Sequence, residues 1–97
     1  MPKGYWVSVY RAISDPDKLA AYAKLAGPAT AAFGARYLCR GIPAMAYEAG
    51  QKERTVVIEF DSLATAIAAH DSPAYQDALM ALDGGAVRDL RLVEGLD

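Results

Sequence analysis

Residues 54–61 (RTVVIEFD) constrain this chain more than any other stretch. Successive side chains of a strand point to opposite faces. Val56, Ile58 and Phe60 therefore share one face, and Thr55, Val57 and Glu59 the other. Residues 5–13 behave the same way, with Trp6, Ser8 and Tyr10 opposed to Tyr5, Val7 and Val9. Neither strand alternates cleanly between apolar and polar, as a sheet with one wet face would. Both faces need cover, and the helical segments found below can cover only one. A twofold dimer is the commonest way to cover the other. The expectation is a homodimer that pairs through its sheets, with a monomer whose second face is partly solvated as the alternative.

The rest of the chain supplies the helices. Asp15 or Ser14 can cap a helix whose first turn takes Pro16, and Leu19, Tyr22, Ala23 and Ala26 then recur on one face. Pro28 predicts a kink or a restarted helix over 29–33, ending at Gly34. Residues 35–40 read as a strand, 44–49 as a weaker one, and 50–52 as a hairpin turn. Ser62 caps a helix carrying Leu63, Ala66, Ile67 and His70. Ser72-Pro73 ends that helix and starts another with Tyr75, Ala78, Leu79 and Leu82 on its apolar face, closed by Gly84-Gly85. Residues 87–94 form the last strand. This order predicts an α+β fold: a ferredoxin-like βαββαβ sandwich with an antiparallel sheet and one added hairpin. The chain reads as a single domain over 1–97.

Composition works mainly by exclusion. Alanine supplies 20 of the 97 residues, so the larger apolar side chains are few and the core is modest. One cysteine, Cys39, excludes an intrachain disulfide, and one histidine, His70, excludes a site of several imidazoles. No metal or cofactor is expected. The formal charge is −2, and the six arginines are interleaved with acids. That argues against a cationic stripe for nucleic acid. No apolar run is long enough for a membrane span, and residues 1–4 lack the features of a signal peptide. The expected setting is cytoplasmic.

Few side chains can carry chemistry. His70 ends a helix beside an apolar face, which suits a general base at a pocket mouth and equally a cap on the helix dipole. Arg40 and Arg54 lie at strand ends and meet if the intervening segment returns as a hairpin. Together they would grip a carboxylate or phosphate, or else form ordinary ion pairs with Glu48, Glu53 or Glu59. Glu59 itself alternates with Val57 on a strand that otherwise looks buried, so it is either a site carboxylate or half of a salt bridge. Tyr75 could present its hydroxyl to the same cavity as His70. Trp6, Tyr10, Tyr22 and Tyr37 could line an aromatic pocket or simply fill core and interface.

Segments 3–6 (KGYW), 33–41 (FGARYLCRG), 54–60 (RTVVIEF), 71–76 (DSPAYQ) and 92–95 (LVEG), in this order, resemble the bacterial domain-of-unknown-function family thirteen-thirty. That family falls in the dimeric α/β-barrel superfamily. The resemblance implies a ferredoxin-like fold whose sheets pair across a dimer. The superfamily includes cofactor-free monooxygenases, lactone isomerases and haem enzymes. Its cofactor-free monooxygenases use asparagine, tryptophan and histidine in one cleft, and this chain has no asparagine. The expectation is a homodimer that binds a small organic acid or aromatic metabolite between helices and sheet. Arg40, Arg54, Glu59, Tyr75, Tyr22 and Trp6 would hold the ligand. His70 would move protons if the protein is a cofactor-free enzyme. The alternative is a non-catalytic structural or interaction protein.

Overall fold

The computed structural model describes residues 2–97. Four strands, β1 (Gly4–Ile13), β2 (Arg36–Gly41), β3 (Thr55–Phe60) and β4 (Ala86–Glu94), form one antiparallel sheet in the order β2-β3-β1-β4. Helices α1 (Pro16–Ala31), α2 (Leu63–Asp71) and α3 (Pro73–Leu82) complete a βαββαβ arrangement in which α2 and α3 share the second crossover.

The cross-strand register decides which side chains share a face. Trp6 pairs with Ile58 and Leu92, Ser8 with Val56 and Leu90, and Tyr10 with Arg88. These residues face the helices, where Trp6, Tyr10, Val56, Ile58 and Phe60 are buried. The helices answer with small side chains. Ala26 and Ala29 of α1, Ala66 and Ala69 of α2, and Ala78 of α3 are buried against that layer. Small residues let the helix backbones approach the sheet's rings, so the alanine-rich composition still yields a packed core. Burying rings as large as Trp6 and Phe60 contributes about 1.5–3 kcal/mol each.

Local chemistry fixes the helix ends. The Asp15 carboxylate accepts from the Asp17 and Lys18 amides, with Pro16 in the first turn. Ser72 serves two helices at once. Its hydroxyl donates to the Ala69 carbonyl at 2.8 Å and accepts from the Tyr75 amide at 3.3 Å. The helix pair thus turns on one residue, and Tyr75 is delivered into the core.

Two expectations need correction. Residues 44–49 form no strand. They belong to an irregular loop with a left-handed Glu48 (φ 53°), in which Met45 and Tyr47 are exposed. That segment joins neither of the sheet's edges, β2 or β4. Pro28 does not break the first helix, since α1 runs through it to Ala31. Proline removes the amide that would bond the Lys24 carbonyl. Both residues are exposed, so water can take that carbonyl's bond.

The other face of the sheet carries no helix. Tyr5, Val7, Val9 and Val57 lie there half-buried, with Val93 exposed. Arg36 ties this face to the sheet's end. It donates to Glu59 at 2.8 Å and to Asp61 at 3.0 Å, while the Tyr5 hydroxyl donates to Glu59 at 3.0 Å.

Candidate functional site

A cavity of about 40 Å³ opens between α1 and the helix-facing side of the sheet. Its inner wall is Trp6, Ser8 and Tyr10 of β1, with Val56 and Ile58 of β3 beside them. Tyr22 and Ala26 of α1 form the roof, and Arg88 reaches in from β4. Tyr37 and Arg40 of β2, both exposed, stand at the mouth with Arg54. The β2–β3 pairing brings the two arginines together, because Arg40 opposes Val56 across the ladder and Arg54 immediately precedes β3.

Three guanidiniums therefore share one small cavity. Among the described residues no carboxylate lies within 4.0 Å of Arg40, Arg54 or Arg88, whereas Arg11, Arg36 and Arg91 all have acidic partners. Aromatic faces hold the three instead. Arg40 lies 5.2 Å from the Tyr37 ring centre and Arg54 5.7 Å from that of Tyr10. Arg88 lies 4.8 Å from Tyr22 and 5.7 Å from Tyr10. A ring face attracts a cation but cancels no charge.

Behind the roof is a buried polar triangle. Arg88 donates to the Tyr22 hydroxyl at 2.9 Å and to the Tyr75 hydroxyl at 2.8 Å, and the two hydroxyls are 2.7 Å apart. Burial first, and then the neighbouring Tyr75, pushes the Tyr22 phenol well above the ordinary tyrosine range, so it keeps its proton. Burial opposes the charge on Arg88, but the phenol oxygens more than offset it and the guanidinium stays protonated. Two of the lining residues each hold a buried polar atom with no partner among the described residues, the Ser8 hydroxyl and the Arg54 Nε. Such atoms are uncommon in native proteins and call for water or a ligand.

The sequence candidates divide accordingly. Trp6, Tyr22, Arg40 and Arg54 line the cavity, and Tyr75 reaches it only through Tyr22 and Arg88. His70 does not line it. Its ring packs 5.7 Å from Trp6 and 5.2 Å from Tyr75, while Nδ1 faces Asp71 at 3.0 Å. Trp6 and Tyr75 are buried, and they stand where His70 would otherwise meet a ligand. Glu59 lies on the opposite face of the sheet, as the period of two requires. Its bond to Arg36, followed by that to Tyr5, holds its carboxyl below the usual carboxylate range. Arg88 and Ser8 were not singled out from the sequence. Alternation places Ser8 on the face of Trp6 and Tyr10, and the β1–β4 register sets Arg88 opposite Tyr10.

The four-stranded antiparallel sheet, with its helices on one side, defines a ferredoxin-like α+β fold. Within that type the chain belongs to the family described as Domain of unknown function (DUF1330), whose model matches residues 3–96. Solved structures share the fold at low identity. A protein of unknown function from Rhodopseudomonas palustris is 16% identical, with 99% of this chain and 84% of that one covered at a TM-score of 0.75. SnoaB, a cofactor-independent oxygenase from Streptomyces nogalater, is 11% identical, with 100% and 96% covered at 0.66. A dimeric ferredoxin-like protein of unknown function from Thermobifida fusca is 19% identical, with 98% and 92% covered at 0.62. No curated protein matches the chain. No helix among the described residues is long and apolar enough to cross a membrane.

Proposed function

We propose that this protein is a homodimeric binding module for a small organic acid, held by its anionic group in the cavity beneath α1. The observation that carries this reading is the set of three guanidiniums at one cavity with no carboxylate to neutralise them. An anionic ligand would supply the missing charge in bidentate geometry, and Trp6, Tyr10 and Tyr37 offer ring surface to the rest of the molecule. The homodimer is supported by the helix-free sheet face with its valines, and by the dimeric ferredoxin-like relative of the same fold.

Catalysis without a cofactor is the second reading, favoured by the fold shared with the cofactor-independent oxygenase. Among the described residues the cavity lining holds neither imidazole nor carboxylate, so proton abstraction by His70 or Glu59 has no support in this geometry. Any turnover would rely on the arginines stabilising an anion formed from the substrate. The binding reading is tested by thermal shift in low-salt buffer with a panel of monocarboxylic acids and their neutral amides. Acids are expected to raise the melting temperature of the wild type and not that of the Arg40→Gln, Arg54→Gln double variant. If no acid stabilises the wild type at millimolar concentration, the reading fails.

A further inference from the structure

Two of the cavity's three arginines flank one tyrosine across the sheet. Arg88 of β4 opposes Tyr10 of β1, and the Arg54 carbonyl, just before β3, accepts from the Tyr10 amide. Because β1 lies between β3 and β4, Tyr10 separates the two arginines. Each guanidinium carbon is 5.7 Å from the Tyr10 ring centre, and two legs of 5.7 Å put the charges at most 11.4 Å apart. Both residues are half-buried, whereas Arg40 is exposed and its charge is screened by solvent. The acids next in sequence are engaged elsewhere. Glu53 turns its carboxylate to the Arg54 backbone amide, and Asp89 faces the far side of the sheet with Val9, where Arg91 holds it. The Tyr22 phenol keeps its proton and cancels no charge. Two separated, half-buried cations are thus left without a counter-charge among the described residues.

We propose that the cavity takes a short dicarboxylate, with one carboxylate held inside by Arg88, the other at the mouth by Arg54 and Arg40, and the chain between them passing the Tyr10 ring. This rests on the acid-binding reading and gives its ligand a second head. Arg88 spends two of its five N–H groups on Tyr22 and Tyr75 and keeps three for an anion. Arg54 buries its Nε without a partner but not its two terminal nitrogens, and these are the atoms a ligand meets. Size decides where the heads go. Holding one water takes about 10–15 Å³, so 40 Å³ encloses about three non-hydrogen atoms, the size of one carboxylate. The second head then lies at the open mouth. A monocarboxylate meets only one of the two charged places, and a phosphate ester carries both of its charges on one head.

Titration calorimetry in low-salt buffer near neutral pH compares succinate with monomethyl succinate, which keeps the chain and loses one charge. The wild type is expected to bind succinate about tenfold more tightly, the worth of one hydrogen bond to a charged group. Methyl phosphate should bind more weakly than succinate. Arg88→Gln should weaken succinate about tenfold and leave the monoester, held at the mouth, nearly unchanged, so the preference collapses. Equal wild-type affinities for succinate and its monoester overturn the two-headed ligand and leave acid binding standing. Methyl phosphate binding as tightly as succinate does the same, as does an Arg88→Gln protein that keeps the full preference. If that variant does not fold, the wild-type comparisons decide alone. Failure of succinate and its monoester alike to bind the wild type also overturns the proposal, and the monocarboxylic acid panel then tells whether acid binding falls with it.

Discussion

Arg54→Met separates what the cavity costs the fold from what it provides for binding. Methionine keeps the unbranched stem but removes the charge and the unpartnered Nε. A buried donor left without an acceptor costs about 1–3 kcal/mol. Against its removal stands the loss of the cation over the Tyr10 ring at 5.7 Å, worth about 0.5–1 kcal/mol at such a site. Relief of repulsion from Arg40 and Arg88 works in the same direction as removing the orphaned donor. The balance favours the variant by about 1 kcal/mol, which for a domain of this length raises the melting temperature by roughly 4–8 °C. The assay is calorimetric melting in low-salt buffer free of organic acids. Protein concentration is held fixed, because a dimer's melting point depends on it. The same melts with added benzoate should show a shift in the wild type and little in Arg54→Met. A variant that melts below the wild type without ligand would refute the reasoning, since the arginine would then be stabilising the empty cavity.

Three further outcomes are expected. Adding a Cβ to Gly4 places it 2.6 Å from the Leu63 Cα and against the Ser62 carbonyl. Gly4→Ala should therefore cost about 1–3 kcal/mol by overpacking, read as a lower urea midpoint. Arg36 holds the carboxyls of Glu59 and Asp61 below their ordinary range. Stability from these contacts is present above the unfolded-state values of about 4 and is lost as pH falls through the lower native ones. The drop in urea midpoint between pH 6 and pH 3 should shrink in Arg36→Gln, and an equal drop would remove Arg36 from the account. Val57→Asp places a charge on the helix-free face, and light scattering should then give a mass near 10.3 kDa where the wild type gives twice that. A wild type that already runs at the lower mass refutes the dimer.

What could be read from residues alone followed the range of the interactions. Ser62, Ser72 and Pro73 act within one helical turn, so those helix starts were plain from local spacing. Arg40 and Arg54 could be brought together because the loop between them joins antiparallel neighbours. The extra strand over 44–49 failed for a related reason. Its β-compatible residues mean little without a partner, and β3, the strand a hairpin over 50–52 would join it to, pairs with β2 instead. Pro28 is a helix breaker by its lost amide and its ring's clash with the preceding turn, yet α1 continues through it, with Pro28 and Lys24 both open to water. The side of the sheet that Arg88 takes was legible, since it alternates in step with Leu90 and Leu92, which pack against the core. That it meets Tyr22 and Tyr75 depends on how the helices dock, which no window of local sequence holds. Glu59 was separable in principle, since the same alternation that sends Ile58 inward sends its neighbour out.

The cavity mouth is built on the edge strand, and this ties affinity to local opening. β2 is bonded on one side only, to β3, and every one of its residues is exposed. Segments of that kind open at far lower free energy than central strands. Tyr37 and Arg40 thus ride on a part of the sheet that frays first, while Ser8 sits on β1, a central strand bonded on both sides. An acid bridging the two strands would slow amide exchange in β2 selectively and leave β1 unchanged. Ligand residence time would then be set by how often one edge strand lets go.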